Sequence, residues 1–177
     1  MSKPLYLVDT NVFIRLEPGD LYDKDCFPNP YNLFINLIEE GKIISLDKVK
    51  EELQDNFFVN KYPKIFKKFS TLDTRETYQD LQDKYPEYFN HYVNKKPNSA
   101  DPFLITYAYH NKLCIVTQEE FQKSNPKQKN YKIMTLCEKL SAVCIDNNYL
   151  KRNINKYKRG FGCICFSELI RIENNKL

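Results

Sequence analysis

Four short apolar runs, at residues 4–9, 42–46, 113–117 and 142–146, alternate along this chain with stretches patterned for helices. Runs of that length, rich in Val, Ile and Leu and bounded by polar residues, read as buried strands. Strands that alternate with helices call for a parallel sheet, because each parallel connection needs a crossover that a helix supplies. The expected fold is therefore α/β, with three α/β/α layers about a central parallel sheet. A chain of 177 residues suffices for one such domain, and a single domain over 1–177 is expected.

Local signals place the helices. Residues 31–40 form one, with Asn29 as cap, Pro30 in its first turn and Gly41 as stop. Asp47 caps a second, running to about Asp55. Asp101-Pro102 opens a third, which ends near Asn111, and residues 133–141 form a fourth. The segment FSELIRI reads as a closing helix, preceded by a short strand in GFGCICF. Residues 56–98, rich in Lys, Tyr and Asp, read as helical pieces broken near Pro63 and Pro86 and form a helical insert. Residues 147–177 form a basic C-terminal extension.

Composition removes several classes. No apolar run approaches the ~18 residues of a membrane span, so no membrane partner is expected. Asp9 and Arg15 interrupt the first apolar segment too early for a signal peptide, which points to the cytoplasm. The net charge of +4 is compatible with a polyanionic partner. Six cysteines contain no CxxC pair, and His91 and His110 lie at no zinc-finger spacing. Reduced, buried thiols are expected in place of a zinc or redox centre.

Acidic residues at one sheet edge carry the chemistry. Asp9 ends the first strand, and in α/β proteins the carboxyl ends of strands form the ligand crevice. Asp101 opens a helix there, where the helix dipole favours an anion. Glu119 follows the third strand. In the helix from Asp47, Val49, Leu53 and Phe57 mark the apolar stripe; Glu52 borders it and Glu51 points away, so Glu52 faces the crevice. Each acid alone is also explained as a cap or a surface charge. Four acids gathered at one edge repel each other, and a bound divalent cation is the usual reason to tolerate that.

These segments resemble the PIN-domain nucleases. The resemblance rests on the strand ending Asp-Thr-Asn in VDTNVF (8–13), the Glu-Leu pair in VKEEL (49–53), the Ala-Asp helix start in SADPFLITYA (99–108), and IVTQEEF (115–121), in that order. It implies a PIN-like fold in which Asp9, Glu52, Asp101 and Glu119 are the catalytic, metal-binding quartet, supported by Asn11 and Thr117. Many members carry Asp where this chain has Glu119, a longer arm with a different reach. The resemblance implies Mg²⁺ or Mn²⁺, which suit carboxylate oxygens, and an endoribonuclease acting on RNA. It further implies the toxin of a toxin–antitoxin or defence pair, with an antitoxin and a homodimer as partners.

Lys123, Lys127, Lys129 and Lys132 follow Glu119 and are candidate RNA phosphate contacts, as are Lys151, Arg152, Lys156, Lys158 and Arg159 in the tail. Two other readings stand beside this one. A non-catalytic PIN-like subunit would bind RNA or act as a scaffold. A haloacid-dehalogenase-like phosphatase also places an Asp after its first strand, but needs a second Asp where this chain has Asn11.

Overall fold

Six parallel strands form one sheet in the order β3-β2-β1-β4-β6-β5 in the computed structural model, which describes residues 4–69, 74–120, 122, 126–146 and 160–175. The strands are β1 (Tyr6–Val8), β2 (Ile43–Leu46), β3 (Phe66–Lys67), β4 (Cys114–Thr117), β5 (Val143–Ile145) and β6 (Gly162–Cys165). Residues of β1, β2, β4 and β6 are all buried, as an apolar strand covered on both faces requires.

Strand parity sorts the helices into two layers. Tyr6 and Cys114 share one face by register, and Tyr6 donates its hydroxyl to Glu173 on α9 (Phe166–Asn174) at 2.5 Å. That face is covered by α9 and by α2 (Pro28–Glu39). Cys163 pairs in register with Ile115 and Cys144 on the other face. There α7 (Asp101–Asn111) and α8 (Ile133–Lys139) pack, so the molecule has the three α/β/α layers expected.

Several boundaries differ from the sequence expectation. The helix expected at 31–40 begins at Pro28 with Phe27 at its cap, because proline fits the first helical position and Asn29 lies inside the turn. Its stop at Gly41 holds, with φ 71°, a conformation that costs glycine little. Asp47 is the first residue of α3 (Asp47–Leu53), not its cap; its carboxylate accepts from Lys48 N at 3.0 Å and Phe69 N at 3.1 Å. The helix expected to open at Asp101-Pro102 and end near Asn111 is found with those bounds as α7, with Ala100 at its cap. Residues 133–141 end as a helix at Lys139, and Ser141 takes φ 64°.

The stretch 56–98 is not helical throughout. After α4 (Phe57–Lys61) and a short 3₁₀ turn, β3 joins the sheet edge beside β2. Only α5 (Arg75–Lys84) and α6 (Pro86–Lys95) form a helical excursion. Phe58 of α4 lies in an aromatic cluster with Phe13 and Phe34, at centroid distances of 5.4 and 5.9 Å. All three are fully buried, and removing one such ring costs about 3–5 kcal/mol. With no Trp in the chain, phenylalanine supplies the bulk of this core.

A six-residue helix, α1 (Thr10–Arg15), was not anticipated. Val12, Phe13 and Leu16 are buried and spaced for one helical face, while Asp9 caps it. This short helix anchors the residue that ends β1.

No helix among the described residues is long and apolar enough to cross a membrane.

Candidate active site

From β1 the chain moves outward to β2 and β3, and then resumes on the opposite side of β1 with β4. The crevice between β1 and β4 is thus the point where strand order reverses, and α/β sheets bind ligands at such points. Asp9 follows β1 directly, and Glu119 follows β4 by two residues.

One hydroxyl joins the two strand ends. Thr117 donates to Asp9 Oδ2 at 2.8 Å. The Thr117 hydroxyl oxygen itself accepts from Asn11 Nδ2 at 3.2 Å and from Glu119 N at 3.1 Å. Asn11 Oδ1 accepts from Gln118 N at 2.9 Å, which fixes the amide. Asp9 Oδ1 accepts from Thr10 N at 2.7 Å.

Glu52 reaches the edge from α3. It accepts from the Thr10 hydroxyl and from Ala100 N, the latter at 2.8 Å, so it links the start of α1 to the start of α7. Glu51 is exposed and pairs with Lys48 at 2.8 Å. Asp101 Oδ2 accepts from the Tyr92 hydroxyl at 2.7 Å. Glu119 Oε2 accepts from Ile133 N, the first residue of α8, at 2.8 Å.

All four carboxylates share one electrostatic field. Burial pushes the Asp9 carboxyl well above the usual range, and Asp101, Glu119 and Glu52 push it further, against the bond from Thr117. Burial also raises Glu52 and Asp101. Glu119 is pushed up to about 7 by burial and by Asp101, opposed by Ile133 N–H, Lys132 and Lys96. Burial and the neighbouring Asp101 hold Tyr92 protonated, so it stays a donor.

The structure also supplies a cheaper account of why the acids are tolerated. Asp9 caps α1, Glu52 and Asp101 sit at the start of α7, and Glu119 sits at the start of α8. Backbone N–H groups and helix dipoles thus offset part of their repulsion.

The donors of the site fit a hard divalent cation in chemistry, since all are carboxylate oxygens. Among the described residues, no three His, Cys, Asp or Glu side chains form a ready-made coordination cage. Mg²⁺ does not require one, because it keeps several waters and takes one or two carboxylates. The Tyr88 hydroxyl is consistent with such a hydrated group. Its residue is fully buried, it lies in the field of Asp101 and Glu119, and it meets the Tyr92 hydroxyl without a hydrogen bond of ordinary geometry. A buried hydroxyl left so is costly unless something else bonds it.

Sequence reasoning missed Thr10, Tyr88, Tyr92 and Lys96. The last three come from α6 and its end, in a stretch whose spacing ahead of Asp101 gave no hint that it folds back to the edge. Lys132 is exposed and its charge reaches Glu119. Lys127 and Lys129 are exposed at a 3₁₀ turn that packs on α6. Lys123 and the tail cations Lys151, Arg152, Lys156, Lys158 and Arg159 lie outside the described residues. Of the six cysteines expected to be buried, Cys114, Cys137, Cys163 and Cys165 are buried free thiols, whereas Cys144 is half-buried and Cys26 is exposed. A surface cavity of about 420 Å³, lined in part by Asp23, Tyr31, Phe57 and Lys61, shares no residue with the acidic edge.

Fold and site together define an α/β protein with a buried carboxylate cluster at the switch point of a parallel sheet. The chain belongs to the family described as a domain of unknown function (DUF4411), which it matches over residues 6–156. No curated protein and no solved structure matches it.

Proposed function

We propose that the chain is a metal-dependent endoribonuclease of PIN type that cuts RNA phosphodiester bonds. The observation that carries this reading is the meeting of Asp9, Glu52, Asp101 and Glu119 at the β1–β4 crevice, with every one of them raised in pKa. Helix capping alone explains where each acid sits. It does not explain why Asp101 opposes the ionisation of Asp9, Glu52 and Glu119, nor why Glu119 and Glu52 add to the effect on Asp9. A cation of the Mg²⁺ or Mn²⁺ class, held by one or two of the four acids Asp9, Glu52, Asp101 and Glu119 with waters completing its shell, would supply positive charge for phosphodiester cleavage and for activating the attacking water. The chain's own groups do the rest. Thr117 and Asn11 hold Asp9 and Glu119 in register across the crevice. Glu52 ties α1 to α7 and so sets the approach of Asp101. The resemblance implies a toxin of a toxin–antitoxin or defence pair acting in the cytoplasm, with an antitoxin protein and a second copy of the chain as partners.

The non-catalytic RNA-binding reading has one observation in its favour, namely that every acid already serves a backbone N–H or a hydroxyl. Cleavage separates the two. Purified protein is incubated with single-stranded RNA in Mg²⁺ or Mn²⁺, with and without EDTA, beside the Asp101→Asn variant as a guard against contaminating nuclease. Cleavage that needs metal and Asp101 supports the proposal. Intact RNA in both metals overturns it in favour of the binding subunit.

A further inference from the structure

We propose that the insert helix α6 is a wall of this site, with Tyr92 as a positioning residue for Asp101 and Lys96 as a contact for a phosphate of the bound strand. The proposal rests on the metal-nuclease reading and extends it to residues outside the acidic quartet.

Tyr92 is buried, and its 2.7 Å bond fixes Asp101 Oδ2. A carboxylate tethered at one oxygen presents the other in a set direction, and such outer partners govern metal affinity. Tyr88, one turn earlier, turns a second hydroxyl into the same field and finds no ordinary partner there. Two tyrosines four residues apart on α6 therefore face the acids.

Lys96 follows α6 directly. Its ammonium stands 5.7 Å from the Tyr92 ring centroid, and it is exposed. It also favours ionisation of both Asp101 and Glu119, so its charge acts on the acidic edge. Lys132 sits across Glu119 on the loop that packs against α6 through the Glu87 N–Gln128 Oε1 bond of 2.8 Å. An exposed cation beside an acidic metal site is where a phosphate next to the scissile bond would lie. As a point charge with three donors, lysine suits that task.

Lys84 provides a matched control. The last residue of α5, it stands 5.6 Å over Tyr85 in the same kind of ring contact, and the whole of α6, about 15 Å by helix rise, separates it in the chain from Lys96. Three variants are made, Tyr92→Phe, Lys96→Gln and Lys84→Gln, each with its melting temperature recorded to establish folding. Two affinities are measured: for Mn²⁺ by titration without RNA, and for a mixed-sequence single-stranded RNA in Ca²⁺ across salt concentrations. Tyr92→Phe is expected to lose roughly 10- to 100-fold in Mn²⁺ affinity. Lys96→Gln is expected to weaken RNA binding and to reduce the salt slope by about 0.7, the share of one phosphate on a single strand, with Mn²⁺ bound no more weakly. Lys84→Gln is expected to match the parent in both. If Tyr92→Phe binds Mn²⁺ like the parent, or Lys96→Gln behaves like Lys84→Gln, the proposal is overturned while the nuclease reading survives. A parent that binds no Mn²⁺ and cuts no RNA overturns both.

Discussion

Thr117 at the end of β4 donates its hydroxyl to Asp9 at the end of β1, 2.8 Å away, and so closes the crevice where the sheet reverses its order. The same oxygen receives Asn11 Nδ2 and Glu119 N. Thr117→Val keeps the shape and removes all three bonds at once. Leaving buried partners unpaired is expected to cost about 1–3 kcal/mol in urea unfolding. Cleavage should fall as well, because Asp9 and Glu119 lose their common reference. A variant as stable and as active as the parent would make that hydroxyl incidental.

Stability should fall as pH rises in metal-free protein. Glu119 has a folded pKa of about 7 against an ordinary 4.5, and Asp9 is raised well above 3.8. For an acid whose folded pKa is raised, the folded state holds the proton longer. Through that interval the folded state binds more protons than the unfolded one, so stability declines as pH rises, and the Glu119 contribution levels off above about 7. Mn²⁺ favours the ionised acids, and its stabilising effect should grow over the same interval. Melting curves from pH 4.5 to 8 with and without Mn²⁺ test this; a stability that climbs through that range in metal-free protein has the wrong sign.

Neutralising one acid separates function from stability. Asp9→Asn and Asp101→Asn are each expected to reduce RNA cleavage by at least about a hundredfold, a lower bound set by the effect of merely disturbing a ligand's partner. Asp101→Asn keeps an oxygen for the Tyr92 hydroxyl and removes one charge from the shared field. Its metal-free melting temperature at pH 8 should exceed that of the parent. Cleavage at the parental rate in either variant contradicts the assigned role.

The loop lysines are expected to act on RNA binding more than on chemistry. Replacing Lys127 and Lys129 together by Gln should weaken RNA binding and reduce the salt slope by up to about 1.4, the share of two phosphates. The rate of cleavage of bound RNA should change less, since the carboxylates remain. Unchanged affinity and slope would return both residues to the solvated surface on which they lie.

The sheet's central strands were legible because each is a continuous apolar run bounded by polar residues. The same logic found Asp9, Asp101 and Glu119, which follow strands or begin helices, and helical spacing separated Glu52 from Glu51. What escaped was set by tertiary structure. β3 has two residues, too few for any period to show, and exists because β2 offers it an edge. α1 is short and carries Val12 and Ile14, which suit a strand equally well. Tyr92 and Lys96 belong to the site only because α6 folds back upon it, and local sequence does not encode that return. The expected caps at Asn29 and Asp47 failed by one or two residues, since Pro28 and Leu46 decide where those helices begin.

β6 enters the sheet between β4 and β5, though it follows both in the chain. Synthesis and assembly therefore run in different orders. When β5 leaves the ribosome, the strand it will pair with has not yet been made, and one edge of β4 stands open beside Thr117. Open strand edges invite pairing with other chains, and contacts across long sequence separations form slowly. Thr117 is aligned with Cys165, so the hub that seats Asp9 and Glu119 gains its outer neighbour only after residue 165 is in place. A nascent chain halted before that point carries every acid of the quartet on a sheet still missing an inner strand. The crevice at Asp9 and Glu119 is thus completed late, once β6 has taken its place beside β4.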